Sequence, residues 1–390
     1  MARAMSTPGT TVSGGSTGRG ASPADAGSAS RSARARVGSG SADTSRKWIV
    51  DARYDQLFLL AAWALPLLLW AIAVWLPYGL LIAFVLFVLL DNSHQVATLP
   101  LTIFDRGSMQ RFGRFYVVGG ILIAVTAIVL AFFPGTIPAK MWASLVLYWG
   151  AFHIIRQHYG FLRLYQARDK PSSDRVAKAE VIALYSGSAF PYLMNLSQGW
   201  IFTGVGENLF RVPMPIEAAW AVLAIFAASF AYTLAAALQR GAQELSLRLL
   251  HLVLVVSNFW LAILWVAPDD VLLAVLFITS YHDLQYHAIV WLVGRARSTS
   301  ADTPVLRSVQ MVFGSVAAFA ATIVAGGLLQ AFLRNDFQVA ASVLPATPQA
   351  NAVMFGLFTS YSYMHYLFDG KMWKMREDPR LRIELGLTRR

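Results

Sequence analysis

Cysteine is absent from the 390-residue chain, and this one absence excludes disulfides, thiolate metal sites, iron–sulfur clusters and cysteine nucleophiles. Any metal must then be held by His, Asp, Glu, Asn, Gln or Tyr. Charge is also scarce: 14% of residues are charged while 56% are hydrophobic, a balance far more apolar than that of soluble domains of this length. No P-loop, dinucleotide fingerprint or H-E-x-x-H zinc motif occurs, which removes the commonest sequence-readable cofactor sites. The formal net charge of +11 could speak for nucleic acid, but the basic residues lie in a polar tail and in short loops between apolar runs. Orientation in a membrane explains that distribution better, and no nucleic-acid partner is expected.

Residues 1–46 are rich in Ser, Gly, Ala, Thr and Arg with almost no large apolar side chain. Such a stretch cannot offset the entropy of ordering and is expected to be a disordered basic tail. It lacks the apolar core of a secretory signal, and the first long hydrophobic run is long enough to remain as an anchor. Residues 47–376 then read as a transmembrane domain and 377–390 as a cytoplasmic tail. At ~20 apolar residues per crossing, spans fall near 56–76, 79–104, 115–134, 141–165, 179–203, 214–238, 246–267, 270–294, 308–333 and 350–370. The expected fold is all-α, a polytopic membrane bundle of about ten transmembrane helices.

Loop charge orients that bundle, because cytoplasmic loops hold the excess of Lys and Arg. With the amino terminus inside, the internal loops carry Arg106, Arg111, Arg114, Arg163, Arg168, Lys170, Arg175, Lys178, Arg240, Arg248, Arg295, Arg297 and Arg307, against Lys140, Arg211 and Arg334 outside. Both termini are therefore expected in the cytoplasm, and the chain is expected in a bacterial inner membrane.

Seven histidines follow this asymmetry. His94, the pair His153 and His158, the pair His282 and His287, and His365 each lie toward the end of a span that exits into the cytoplasm, and His251 starts the seventh span. Ionisable groups at membrane depth are expensive and mark function. Carboxylates accompany them: Asp91 lies three residues before His94, Asp283 four before His287 and Asp369 four after His365, spacings that share a helical face. Each carboxylate could ligate a metal or orient an imidazole by accepting its second proton.

Both His153-Ile-Ile-Arg-Gln-His158 and His282-Asp-Leu-Gln-Tyr-His287 have the form H-x4-H. Five residues turn a helix by about 140° beyond full circles, so either the helix unwinds or each pair straddles a site. The spacing resembles the first histidine box of integral membrane desaturases and hydroxylases, in which histidines at cytoplasmic helix ends help hold two non-haem irons. The resemblance covers these short segments only, and no His-His dipeptide occurs in the chain. It implies a metal set of His94, His153, His158, His282, His287 and His365, with Asp283 and Asp369 as ligands or catalytic carboxylates beside it.

Imidazole and oxygen donors suit iron, zinc, copper or manganese. Non-haem iron, as one or two ions, implies an oxidoreductase that attacks a lipid or other long apolar substrate at the cytoplasmic leaflet, with an electron-donor protein as partner. Zinc would imply a polarised water and hydrolysis. Two other readings stay open: axial ligation of haem by histidines on different helices, and a proton-coupled transporter with a His/Asp relay. Arg156 and Arg163 flank His158 and could either snorkel to phosphate or hold an anionic head group.

Overall fold

The computed structural model of the protein describes residues 47–133, 135–200, 210–240, 246–267, 271–299, 307–334 and 348–387. The chain divides into two units, 1–44 and 45–390; the tail expected to be disordered lies outside the described residues. Within 45–390 every described regular element is helical. The helices are α1 (Ala52–Trp75), α2 (Gly79–Ala97), α3 (Arg106–Ala131), α4 (Ile137–Arg168), α5 (Asp174–Gln198), α6 (Ile216–Gln239), α7 (Leu247–Val266), α8 (Val271–Thr299), α9 (Arg307–Val312), α10 (Val316–Arg334), α11 (Pro348–Met372) and α12 (Pro379–Glu384).

Nine of the ten expected spans each overlap one long helix, while the run 308–333 divides between α9 and α10; among the described residues, α1, α2, α3, α6 and α7 are both long and apolar enough to cross a membrane by composition. An integral membrane protein follows from those five. Helices suit that setting because each closes its own backbone hydrogen bonds where no water is available.

The helices depart from regularity where a neighbour takes up the freed backbone group. Pro191 inside α5 supplies no N–H to the carbonyl of Gly187, and the Trp260 indole of α7 donates to that oxygen at 2.8 Å. A π-helical turn at Asp55–Leu60 in α1 leaves the Leu59 carbonyl to accept from Gln285 at 2.5 Å and Tyr281 at 3.3 Å, both on α8. Close backbone approach joins other pairs. A Cβ on Gly356 of α11 would lie 2.7 Å from Ile128 Cα of α3, and one on Gly327 of α10 would lie 3.0 Å from Ser93 N of α2, the small-residue contacts through which membrane helices pack.

Polar bonds tie together the ends that carry the cationic loops. Arg168, at the end of α4, donates to the carbonyls of Ile49 and Leu385, both at 3.0 Å. Arg248, at the start of α7, pairs with Asp169 and Glu180 at 3.0 Å each. Arg297, at the end of α8 and 2% exposed, reaches the Leu101 carbonyl at 3.3 Å, Asp105 at 2.8 Å and Glu384 at 2.9 Å. Asp378 caps α12 and binds Arg111. Burial pushes the Asp378 carboxyl up, but the bond from Arg111 and the charges of Arg380, Arg111 and Arg297 outweigh it and hold the group below the usual carboxylate range. At the other ends of α4 and α5, the Ser144 hydroxyl accepts from Phe210 N at 2.5 Å and Arg211 donates to the Leu196 carbonyl at 3.2 Å.

Candidate metal centre

The last turns of α2 run Asp91-Asn92-Ser93-His94-Gln95, and every one of these residues is buried. Polar groups taken from solvent must be bonded to something, and here the partners come from α8, α10 and α11. Gln95 accepts from Gln330 of α10 at 2.9 Å and from Ser362 of α11 at 3.2 Å. Ser93 meets His287 Nε2 of α8 at 3.0 Å.

Four imidazoles converge beside this run. His94 of α2, His153 of α4, His282 of α8 and His365 of α11 each offer a nitrogen, and these four nitrogens all lie within 4.8 Å of one another. The rings form a closed quartet. Centroids are 4.6 Å apart for His94–His365, 5.0 Å for His365–His153, 5.2 Å for His153–His282 and 5.0 Å for His282–His94. Neighbouring planes are steeply inclined, from 68° to 89°, so edges rather than faces meet.

The nitrogens divide into those turned outward and those turned in. His94 Nδ1 lies 2.7 Å from the Asp91 carbonyl oxygen and 2.9 Å from Asp283 Oδ1. His365 Nδ1 lies 2.6 Å from Thr98 Oγ1. With Nδ1–H held by an oxygen in each ring, both Nε2 atoms point inward, 3.1 Å apart. An outer oxygen that fixes the tautomer and aims the other nitrogen is the usual support of a ligating histidine.

Behind His365 a bonded chain continues. Thr98 Oγ1 lies 2.8 Å from the Tyr286 hydroxyl, which donates to Asp369 Oδ1 at 2.7 Å. The assignment that satisfies every group has His365 donating to Thr98, Thr98 to Tyr286 and Tyr286 to Asp369. The other carboxylate oxygen, Asp369 Oδ2, stands 3.8 Å from both His153 Nε2 and His365 Nε2, too far to bond.

Three ring nitrogens of the quartet, His153 Nε2 and both nitrogens of His282, are buried with no hydrogen-bond partner. Leaving such groups unpaired costs about 1–3 kcal/mol each, and one shared cation would relieve His153 Nε2 together with one nitrogen of His282. First-row metals bind imidazole at ~2.0–2.1 Å, so inward nitrogens at these separations need only a small contraction to share an ion. The donor set therefore fits a transition metal. Asp91, His94 and Asp283 form a second convergent group that shares His94, with its carboxylates on the Nδ1 side of that ring.

No family model matches the chain, and no match is found among curated proteins or solved structures.

Two histidines expected in the metal set stand apart from the quartet. His287 is turned to Ser93 and to the Leu90 carbonyl, the latter at 3.4 Å. His158 packs on Tyr281, with centroids 5.1 Å apart, and on His251 at 5.6 Å. Neither helix unwinds: α4 and α8 run unbroken through both H-x4-H segments. One histidine of each pair thus enters the quartet and the other faces a different neighbour, as a rotation of about 140° requires. Asp283 likewise serves His94 of another helix, although its spacing had placed it on the face of His287.

Neither Thr98 nor Ser93 stands out in the sequence, and Tyr286 is one of 14 tyrosines. A hydroxyl beside a histidine run carries no sequence signal of its own, because its partners come from distant helices. Two cavities adjoin the centre. A space of about 730 Å³ reaches His153 and Asp369 from the cationic side, and one of about 140 Å³ reaches His94, His153 and His282 from between α2, α4 and α8.

Proposed function

We propose that this chain is a membrane-embedded, metal-dependent oxidoreductase whose centre is the quartet His94, His153, His282 and His365, acting on a lipid or other long apolar substrate. The observation that carries the reading is the convergence of four imidazoles from four helices around buried ring nitrogens that no protein group satisfies.

Iron is the metal we favour. An all-nitrogen and oxygen donor set without sulfur suits it, and bound iron would supply activation of dioxygen and attack on an unactivated C–H bond. The chain's own residues do the remaining work. The Asp91 carbonyl holds the His94 ring and Thr98 the His365 ring with Nε2 inward, and Asp283 Oδ1 stands 2.9 Å from His94 Nδ1. Asp369, kept in place by Tyr286, presents Oδ2 beside His153 and His365 and can hold or release a proton there. The apolar side chains Val146, Leu147, Ile154, Val275 and Ile278 that line the smaller cavity can guide an apolar chain.

Haem fits less well. The quartet centroids lie 4.6–5.2 Å apart, and this leaves no slot for a macrocycle between any two rings. The ten-span reading with both termini cytoplasmic is supported by the bonds that join 49, 101–105, 168–180, 248, 297 and 378–385 at one end of the bundle, since cationic loops face the cytoplasm.

The test is elemental analysis and a visible spectrum of the detergent-purified full chain. Near-stoichiometric iron is expected, lost in His282→Ala and retained in His251→Ala. Folded wild-type protein without a transition metal would end the proposal, and a Soret band would replace it with haem.

A further inference from the structure

The larger cavity differs in character from end to end. Its inner end is His153 and Asp369, its walls include Phe161, Leu164, Ile289 and Leu385, and its mouth carries Arg156, Arg163, Lys374 and Arg376. All four cations are exposed. They come from two separate places in the sequence, the last turns of α4 and the segment after α11, so a shared mouth is a product of the fold. Arg156 donates to the Tyr185 hydroxyl at 3.1 Å and lies 5.0 Å over the Tyr159 ring, and Arg163 donates to Gln166 at 2.6 Å. Neither makes an ion pair with a carboxylate among the described residues. Lys374 alone is partly compensated, by Glu377 at 3.4 Å. Asp369 is the single acidic residue lining the space, at its inner end.

Interfacial cations commonly snorkel to lipid phosphate without further purpose. Here, however, they ring a cavity of about 730 Å³, within the range of ~300–1,000 Å³ that buries a small ligand, and its apolar walls lead inward to the quartet. We propose that this cavity binds a single-chain anionic amphiphile, its carboxylate or phosphate head at the arginine and lysine mouth and its hydrocarbon directed toward His153 and Asp369. This deepens the oxidoreductase reading by naming the class of substrate that the same site takes.

Trp373 lines the cavity and provides a local probe. The full chain, reconstituted in nanodiscs of zwitterionic lipid, is titrated with dibromostearic acid and with the corresponding dibrominated alcohol, each of which quenches tryptophan on contact. Saturable quenching is expected, and Trp373→Phe should remove its saturable part. Loss of charge-assisted bonds to the head group predicts that the acid binds about tenfold more tightly than the alcohol, and that the double variant Arg163→Gln/Arg376→Gln removes this advantage. Equal affinities of acid and alcohol, or quenching indifferent to Trp373→Phe, would overturn the inference. Displacement of the acid by inorganic phosphate would assign the mouth to a free anion, and displacement by nanodiscs of anionic two-chain lipid would assign it to bilayer head groups; either result also overturns it. The same titration on His282→Ala separates this inference from the metal proposal. Acid-selective binding should persist there while iron is lost, so each reading can fail without the other.

Discussion

Helices α3 and α8 have similar lengths, 26 and 29 residues, yet they solve opposite problems. Along α3 the side chains of Val117, Val118, Ile121, Leu122, Val125 and Val129 are all exposed on the protein surface, where acyl chains would cover them. On α8 the run Ser280 to Gln285 is polar apart from Tyr281 and Leu284, and Ser280, His282, Asp283 and Gln285 are each no more than 1% exposed. Hydropathy recognises α3 as a membrane crossing and passes over α8, along with the histidine-bearing α4 and α11. The polar groups that build the centre are the same groups that lower the apolar character of the helices holding them. Three of the four helices that carry the quartet are thus passed over by hydropathy, and α2, which carries His94, is the exception.

Three changes would break or sharpen this contrast. The largest effect is expected where a buried charge loses its counterpart. Arg297→Met leaves Asp105 buried with only the more distant Arg380 at 3.6 Å, and removal of one partner from a buried pair costs about 3–5 kcal/mol; thermal unfolding in detergent should show the loss, and an unchanged midpoint would mean that the polar end is not what holds the helices together. A smaller effect is expected just outside the quartet. Asp283→Asn keeps the shape but weakens the hold on His94 Nδ1, and loss of such an orienting carboxylate typically lowers metal affinity by about 10–100-fold. Competition with a chelator measures it, and wild-type affinity in this variant would show that Asp283 does not orient the ring. The smallest belongs to α3. Leu122→Ala removes atoms that face outward, and the unfolding free energy should move by no more than about 0.5 kcal/mol; a larger loss would show that this face is packed against protein.

Much of the fold was legible in the sequence, and the centre was legible in part. The apolar runs correspond to helices because length and hydrophobicity are local properties, and the run 308–333 alone is divided, between α9 and α10. Loop charge led to the expectation that the histidines share one side of the membrane, and four of the six expected ligands, His94, His153, His282 and His365, meet. The order within that side was not readable. His153 and His158 look equivalent in sequence, as do His282 and His287, and only the azimuth of each helix decides which ring faces the quartet.

Composition and hydropathy by themselves determined that this is a cysteine-free, helical membrane protein. Tertiary structure alone decided which four rings meet, that Asp283 serves a histidine of another helix, and that Thr98 and Tyr286 link His365 to Asp369. The physical reason is the rotation of the α-helix: spacing along one chain states which side chains share a face, whereas the neighbour that face meets is set by how whole helices pack.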